Sequence, residues 1–240
     1  MTSDNERVFA DRREAGRELA RLLQHVQRSD DEVVVLGLPR GGVPVAFEIA
    51  SALDATLDVF VVRKLGTPGH SELAMGAIAS GGTRVINEDV VQALHIPERH
   101  IDAVASREQA ELERRDLAYR RGRPLTPLAH RTVILVDDGL ATGSTMKAAV
   151  QAVKQHGPAR VIVAVPVGAP ETCHALRELA DEVICARTPT GFSAVGQWYR
   201  DFSQTTDEEV RELLRDAISS GSEAGGSPGP FVPQQGSGLH

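Results

Sequence analysis

The sequence of 240 residues predicts a single α/β domain, in which a mostly parallel sheet carries helices on both faces. Three observations point there. Short apolar runs rich in β-branched residues recur at Val33 to Leu38, Leu57 to Val62, Val133 to Val136 and Arg160 to Val167, the signature of strands buried on both sides. Segments of helical spacing separate them, and such alternation implies right-handed crossovers between parallel strands. The length suits one domain with decorations, whose core needs no covalent staple.

Residues 9–28 open with Asp11 and Glu14 at capping-box spacing, followed by Ala15, Leu19, Leu22, Leu23 and Val26 on one face. The spacing predicts an amphipathic helix packed on the core, with its arginines on a solvated face. Residues 1–30 are read as this N-terminal element, with no room for a complete helix-turn-helix domain before the main unit of 31–205. The first strand, Val33 to Leu38, runs into Gly37-Leu38-Pro39-Arg40-Gly41-Gly42, ahead of a helix from Val45 to Leu53. Glycines on both sides of Arg40 let the backbone curl against an anion while the guanidinium supplies charge and paired donors. The same six residues also suit a plain turn that opens a helix. Pro39 raises the expectation of a cis Leu38–Pro39 bond.

Leu57 to Val62 form the next strand, with Arg63 and Lys64 at its carboxyl end. Residues 66–82 are rich in Gly, Ser and Ala and carry Pro68, His70 and Glu72; Thr83 to Ile86 then form a short strand. A long small-residue segment beside a site is a candidate lid, taken here as residues 64–84. His70 is a candidate proton donor within it, although a loop histidine is also commonly a solvated bystander. Between Pro97 and Gly122, Glu111 with Arg115 and Asp116 with Arg120 stand at i,i+4 spacing on a helix with a narrow apolar stripe. Its acids read as solvated partners of its own arginines, and a homodimer face is left open. Later elements are a helix from Pro170 to Leu179, a short strand from Val183 to Ala186 and a last helix from Asp207 to Ile218, within a C-terminal unit of 206–219.

The most informative stretch is Thr132 to Met146. A buried strand ends in Asp137 and Asp138, Ala141-Thr142-Gly143-Ser144-Thr145 makes a tight turn, and Met146, Ala149, Val150 and Val153 begin a helix. Unpaired amides and a helix dipole meet at the strand's carboxyl end, where open parallel sheets bind ligands, so the turn reads as a phosphate site. It has neither the spacing and lysine of a Walker loop nor a dinucleotide fingerprint. Two carboxylates beside one phosphate cradle suit a ribose 5-phosphate. Helix capping alone would need one acid and explains neither the second nor the turn.

Val133 to Thr145 resembles the phosphoribosyl pyrophosphate (PRPP) motif of the type I phosphoribosyltransferases, whose fold is a single Rossmann-like domain with a flexible lid hairpin and a small C-terminal hood. The resemblance implies that Asp137 and Asp138 hold the ribose hydroxyls and that Ala141, Thr142, Gly143, Ser144 and Thr145 hold the 5-phosphate. It also implies that Arg40 and Gly41 grip pyrophosphate. Arg63-Lys64-Leu65-Gly66-Thr67-Pro68 resembles a stretch of adenine phosphoribosyltransferases, which adds Arg63 and Lys64 to that grip. Glu72 with Met75-Gly76 faintly resembles the lid's Glu-Tyr-Gly in purine enzymes, without the tyrosine. Thr190 to Phe202 resembles the hood of hypoxanthine-type enzymes, here residues 187–202, and implies that Phe192, Val195 and Trp198 meet the base. The lysine that would read a 6-oxo group is missing from Pro166-Val167-Gly168-Ala169.

The implied catalytic set is therefore Asp137, Asp138, Arg40, Lys64 and His70. Mg²⁺ is the implied cofactor, either without a direct protein ligand or through Asp137 and Asp138, and PRPP with a small nitrogenous base are the implied partners. The alternatives are a PRPP-sensing regulatory or RNA-binding protein on the same fold and a hydrolytic relative. A net charge of −7 gives no general footprint for nucleic acid, so no DNA partner is expected. Cys173 and Cys185 lie outside any CxxC or CxxH pattern, which predicts two reduced thiols and no zinc site. With no apolar run of membrane-spanning length and a polar start, a cytoplasmic location is expected. Residues 220–240, dominated by Gly, Ser, Pro and Gln, are predicted to be a disordered tail without chemistry.

Overall fold

The computed structural model describes residues 8–28, 32–67 and 70–223. Helix α1 (Arg12–Leu22) is followed by β1 (Val33–Gly37), α2 (Gly42–Leu53), β2 (Thr56–Val59), β3 (Val62–Thr67), β4 (His70–Ala79) and β5 (Thr83–Ile86). Then come α3 (Glu88–Ala93), α4 (Glu98–Arg120), β6 (Thr132–Val136), α5 (Ser144–Lys154), β7 (Arg160–Val167), α6 (Pro170–Leu176), β8 (Glu182–Arg187) and α7 (Asp207–Glu223). The main sheet has the order β2-β1-β6-β7-β8 and every pairing in it is parallel. This is the expected α/β class.

Strand periodicity explains the layering, because successive side chains point to opposite faces. Val35, Ile134, Val136, Ile162 and Ala164 join one buried cluster with Leu19 of α1, Ile49 of α2 and Leu213 of α7. Their neighbours Val34, Leu36, Val133, Leu135 and Val163 join another with Met146 and Val150 of α5 and Leu176 of α6. Helix α1 starts as its sequence dictates: the Asp11 carboxylate accepts from Glu14 N at 2.8 Å, an N-cap worth about 1 kcal/mol.

Several expectations are corrected. The run from Leu57 to Val62 divides: β2 stays in the main sheet, whereas β3 leaves it for a three-stranded antiparallel sheet β3-β4-β5. The break falls at Phe60 and Val61, whose amides donate to Gly37 O and Ser80 Oγ. Residues 66–82, read from their composition only as a small-residue lid segment, form most of an antiparallel β3–β4 hairpin, the form that the resemblance implies for the lid. Leu65, Met75 and Ile78 anchor that sheet by burying against Ile101 and Leu112 of α4. Helix α3 is an addition to the expected elements; Asn87 caps it by accepting from Val90 N. Helix α6 stops short of Leu179, and α7 runs past Ile218 to Glu223. The tail expected over 220–240 therefore begins inside this helix, and residues 224–240 lie outside the described residues. The expectation of two reduced thiols is also overturned: α6 folds back on β8 and brings Cys173 and Cys185, 6.8 Å apart at Cα, into a disulfide. Nor are the α4 charges all solvated. Arg120 is 3% exposed and pairs with Asp58 of β2 as well as with Asp116. Among the described residues no helix is long and apolar enough to cross a membrane.

Candidate active site

Strand β6 delivers Asp137 and Asp138 to the carboxyl edge of the sheet, and the chain then turns into α5. Gly143, at φ 66°, is the N-cap of that helix; the left-handed backbone there suits glycine. A Cβ at this position would also lie 2.4 Å from Thr172 Cγ2 of α6. Thr172 Oγ1 donates to Ala141 O at 2.7 Å, so α6 braces the turn from behind. Ala141, Thr142 and Ser144 are exposed on its outer side, and the first amides of α5 have no intrahelical acceptor. The turn is therefore formed, with an exposed outer side at the start of the helix.

The loop after β1 packs directly against the acids. Its cis bond is Pro39–Arg40, one residue later than expected. A Cβ on Gly42 would stand 2.5 Å from Val136 O, and one on Gly41 would stand 2.0 Å from Asp138 Oδ2. Only glycine lets this backbone approach so closely. Arg40 is half-exposed and 3.9 Å from Asp207 of α7, an ion pair at the limit of contact.

Electrostatically the two carboxylates differ. Burial, followed by the neighbouring charge of Asp138, pushes the Asp137 pKa well above the ordinary aspartate range; the Asp138 amide, donating to Asp137 Oδ1 at 2.9 Å, opposes this. Burial also raises Asp138, against the pull of Arg12. Arg12 Nε and Nη2 each lie 2.9 Å from Asp138 Oδ2. The expectation that the α1 arginines form a solvated face thus fails at Arg12, whose side chain is 11% exposed.

The basic pair after β2 is split by strand alternation. Arg63 turns to Glu108 of α4 with two donors, Nε at 3.0 Å. Lys64 instead borders a crevice of about 450 Å³ between the antiparallel sheet and α5, together with Ser144, Lys147 and Gln151. The structure therefore brings Lys64, and not Arg63, beside the turn. The backbone of His70 begins β4, but the side chains of His70 and Glu72 lie outside the described residues.

In the hood segment, Phe192, Val195 and Trp198 are half-buried against Phe9, Ala15, Val167 and Tyr199. Val195 reaches the central motif, since its Cγ1 would be 2.5 Å from a Cβ on Gly139. Trp198 Nε1 is buried and has no hydrogen-bond partner among the described residues. Tyr199, which sequence reasoning did not single out, donates its hydroxyl to Asp138 O at 2.6 Å. Burial pushes that phenol's pKa far upward, so it stays a donor.

Comparison with known proteins decides the family. The sequence model described as "Phosphoribosyl transferase domain" matches residues 9–197. The chain belongs to this family. Two curated Mycobacterium tuberculosis proteins, from strains CDC 1551 and H37Rv and named provisionally as phosphoribosyl transferases, are each 51% identical over 219 residues. These alignments cover 91% of this chain and 49% of each relative, so the chain spans about half the length of the curated relatives it matches. Among solved structures, TT1426 from Thermus thermophilus superposes with a TM-score of 0.79 at 44% identity, covering 87% of this chain and 98% of that one.

Within this phosphoribosyl transferase domain, sequence reasoning missed Arg12 because the capping-box pattern already accounted for its neighbourhood. No local signal ties it to an acid 126 positions away. As to a metal, no group of three or more His, Cys, Asp or Glu side chains among the described residues could hold one. The carboxylates expected to meet a metal, Asp137 and Asp138, are a pair. That suits Mg²⁺, which keeps several waters and takes one or two carboxylates plus substrate phosphates instead of an all-protein cage.

Proposed function

We propose that this domain transfers the 5-phosphoribosyl group of PRPP to a nitrogenous base, releasing pyrophosphate and a ribonucleoside 5-monophosphate. The observation that carries the proposal is convergence: the Pro39 to Gly42 loop lies in contact with Asp137 and Asp138, and the Thr142 to Thr145 turn follows on the same edge. One phosphate, one sugar and one diphosphate need three such subsites side by side.

In this reading the amides of the turn, with the Thr142, Ser144 and Thr145 side chains, bind the 5-phosphate at the start of α5. Asp137 and Asp138 accept from the ribose hydroxyls. Arg40, Gly41 and Lys64 surround the diphosphate, where charge grows as the C1–O bond breaks, and preorganised cations stabilise developing charge most effectively. Asp137 and Asp138 are the carboxylates that would face Mg²⁺, and bound with PRPP the ion would neutralise diphosphate charge. Rate comes from positioning and electrostatics, without a protein nucleophile. The lid of 64–84 and the hood of 187–202 would exclude water from an oxocarbenium-like transition state. Phe192, Val195 and Trp198 are proposed to line the base side, and His70 to serve as a proton donor.

The test is direct. Purified protein with PRPP, Mg²⁺ and a panel of purines, pyrimidines and related heterocycles should release pyrophosphate with at least one acceptor. PRPP binding with no turnover on any of them would favour the sensor alternative. Asp137→Asn combined with Asp138→Asn should abolish PRPP binding, measured by calorimetry, while the far-ultraviolet dichroism spectrum stays that of a folded chain. Unchanged binding would remove the ribose assignment.

A further inference from the structure

Arg12 is held from four directions. Nε and Nη2 donate to a single oxygen, Asp138 Oδ2, at 2.9 Å each. Nη1 donates to Ser203 O at 2.7 Å. The guanidinium carbon sits 4.1 Å from the centroid of the Phe202 ring, which stacks on Tyr199 at 5.1 Å. Tyr199 in turn donates to the carbonyl oxygen of Asp138. Gly41 closes the loop side, because a Cβ there would stand 3.3 Å from Arg12 Nε.

Such an enclosure differs from a surface ion pair, in which side-chain entropy and solvent cancel most of the attraction. Two donors on one carboxylate oxygen fix the rotation of the carboxyl group about its own axis. The guanidinium does not use Oδ1. We infer that Arg12 is a positioning residue of the sugar site, which orients the Asp138 carboxylate so that Oδ1 accepts a ribose hydroxyl. The inference rests on the PRPP reading and deepens it: the N-terminal helix, which lies outside the sheet, becomes part of the donor site. Arg12 acts through Asp138 and does not touch the ligand's phosphates.

The full chain should be titrated with three probes, each with Mg²⁺: PRPP, ribose 5-phosphate and inorganic pyrophosphate. Arg12→Ala is expected to weaken PRPP and ribose 5-phosphate by roughly 10- to 100-fold, the range spanned by loss of a hydrogen bond to a charged group. Pyrophosphate affinity should change by less than about twofold, since no sugar hydroxyl is present. Arg12→Lys, which keeps the charge and one directed donor, should recover part of the loss. Equal weakening of all three probes overturns the inference, because Arg12 then serves the phosphates or the fold as a whole; so does unchanged PRPP affinity. If Arg12→Ala does not fold, Arg12→Lys carries the same comparison, with a smaller sugar-specific loss expected and no loss fatal. Failure of the wild-type protein to bind PRPP would instead remove the donor-site reading itself, and this inference with it.

Discussion

Among the described residues, two buried constellations of carboxylates and a guanidinium contrast, and they are built to different ends. In the first, Arg120 of α4 donates through Nε to Asp58 Oδ1 at 2.9 Å and pairs through Nη1 with Asp116 at 2.8 Å, while Nη2 reaches Val59 O. Asp58 also accepts from Val59 N at 2.7 Å and Thr126 N at 2.9 Å. Asp116 accepts from Ser80 Oγ, which accepts from Val61 N. Every charge has partners, and the network ties α4, β2 and the antiparallel sheet together. In the second, Asp137 and Asp138 are adjacent, and the one guanidinium beside them, that of Arg12, pairs with Asp138. Asp137 forms no salt bridge among the described residues. A complete network secures a fold, whereas an incomplete one is left with capacity for a ligand at a cost in stability.

The largest effect should follow from breaking the complete network. Arg120→Met leaves Asp58, 5% exposed, without its counter-charge. Removing one partner of a buried pair costs about 3–5 kcal/mol. Urea unfolding should show a midpoint lowered accordingly. An unchanged midpoint would mean that the network is neutral and that the contrast with the second constellation is false.

The opposite sign is expected at the incomplete one. Asp137→Asn keeps the shape but removes the charge that burial and Asp138 oppose, and should stabilise the chain by on the order of 1 kcal/mol. For a chain of this size that corresponds to roughly 2–4 °C in melting temperature. The sign with pH follows from linkage. The folded-state pKa of Asp137 lies above its unfolded value, so between the two the native state binds more protons and wild-type stability falls as pH rises. The advantage of the Asn variant should therefore be full at pH above the folded value. It should shrink as pH falls toward the ordinary aspartate range. Melting curves from neutral to acidic pH read this directly, and an advantage that grows on acidification would contradict the assignment.

The same contrast explains what was legible in the sequence. The parallel sheet could be read because uniformly apolar runs such as Val133 to Val136 have no other home than a strand buried on both faces. Asp137, Asp138 and the turn could be read because all of them lie within one local strand, turn and helix. Arg12, Tyr199 and the Cys173–Cys185 disulfide could not, since each acts through a partner brought near only by tertiary folding. The strands within 66–82 could be expected only through the family resemblance, for a related reason. Their small residues carry weak strand propensity, and it is the packing of Leu65, Met75 and Ile78 under α4 that makes them a sheet.

The adjacent cations Arg63 and Lys64 repeat the comparison at the scale of one dipeptide. Pleating sends one to α4 and the other to the crevice that Ser144 borders. Arg63 is already committed: its donors hold the Glu108 carboxyl below the usual glutamate range, chiefly by hydrogen bonding. Arg63→Ala should therefore cost up to about 1 kcal/mol in the attachment of the antiparallel sheet, as a partly exposed pair does, and leave PRPP affinity within about twofold. Lys64 forms no salt bridge among the described residues, so its charge is available to an anion. Lys64→Ala should weaken PRPP and pyrophosphate together by about tenfold, with little change in the unfolding midpoint. Calorimetry and urea unfolding on the two variants separate the roles. If Arg63→Ala loses the ligand and Lys64→Ala does not, the lid pairs with Glu108 only in the ligand-free state, and Arg63 must exchange that acid for the diphosphate when the site fills.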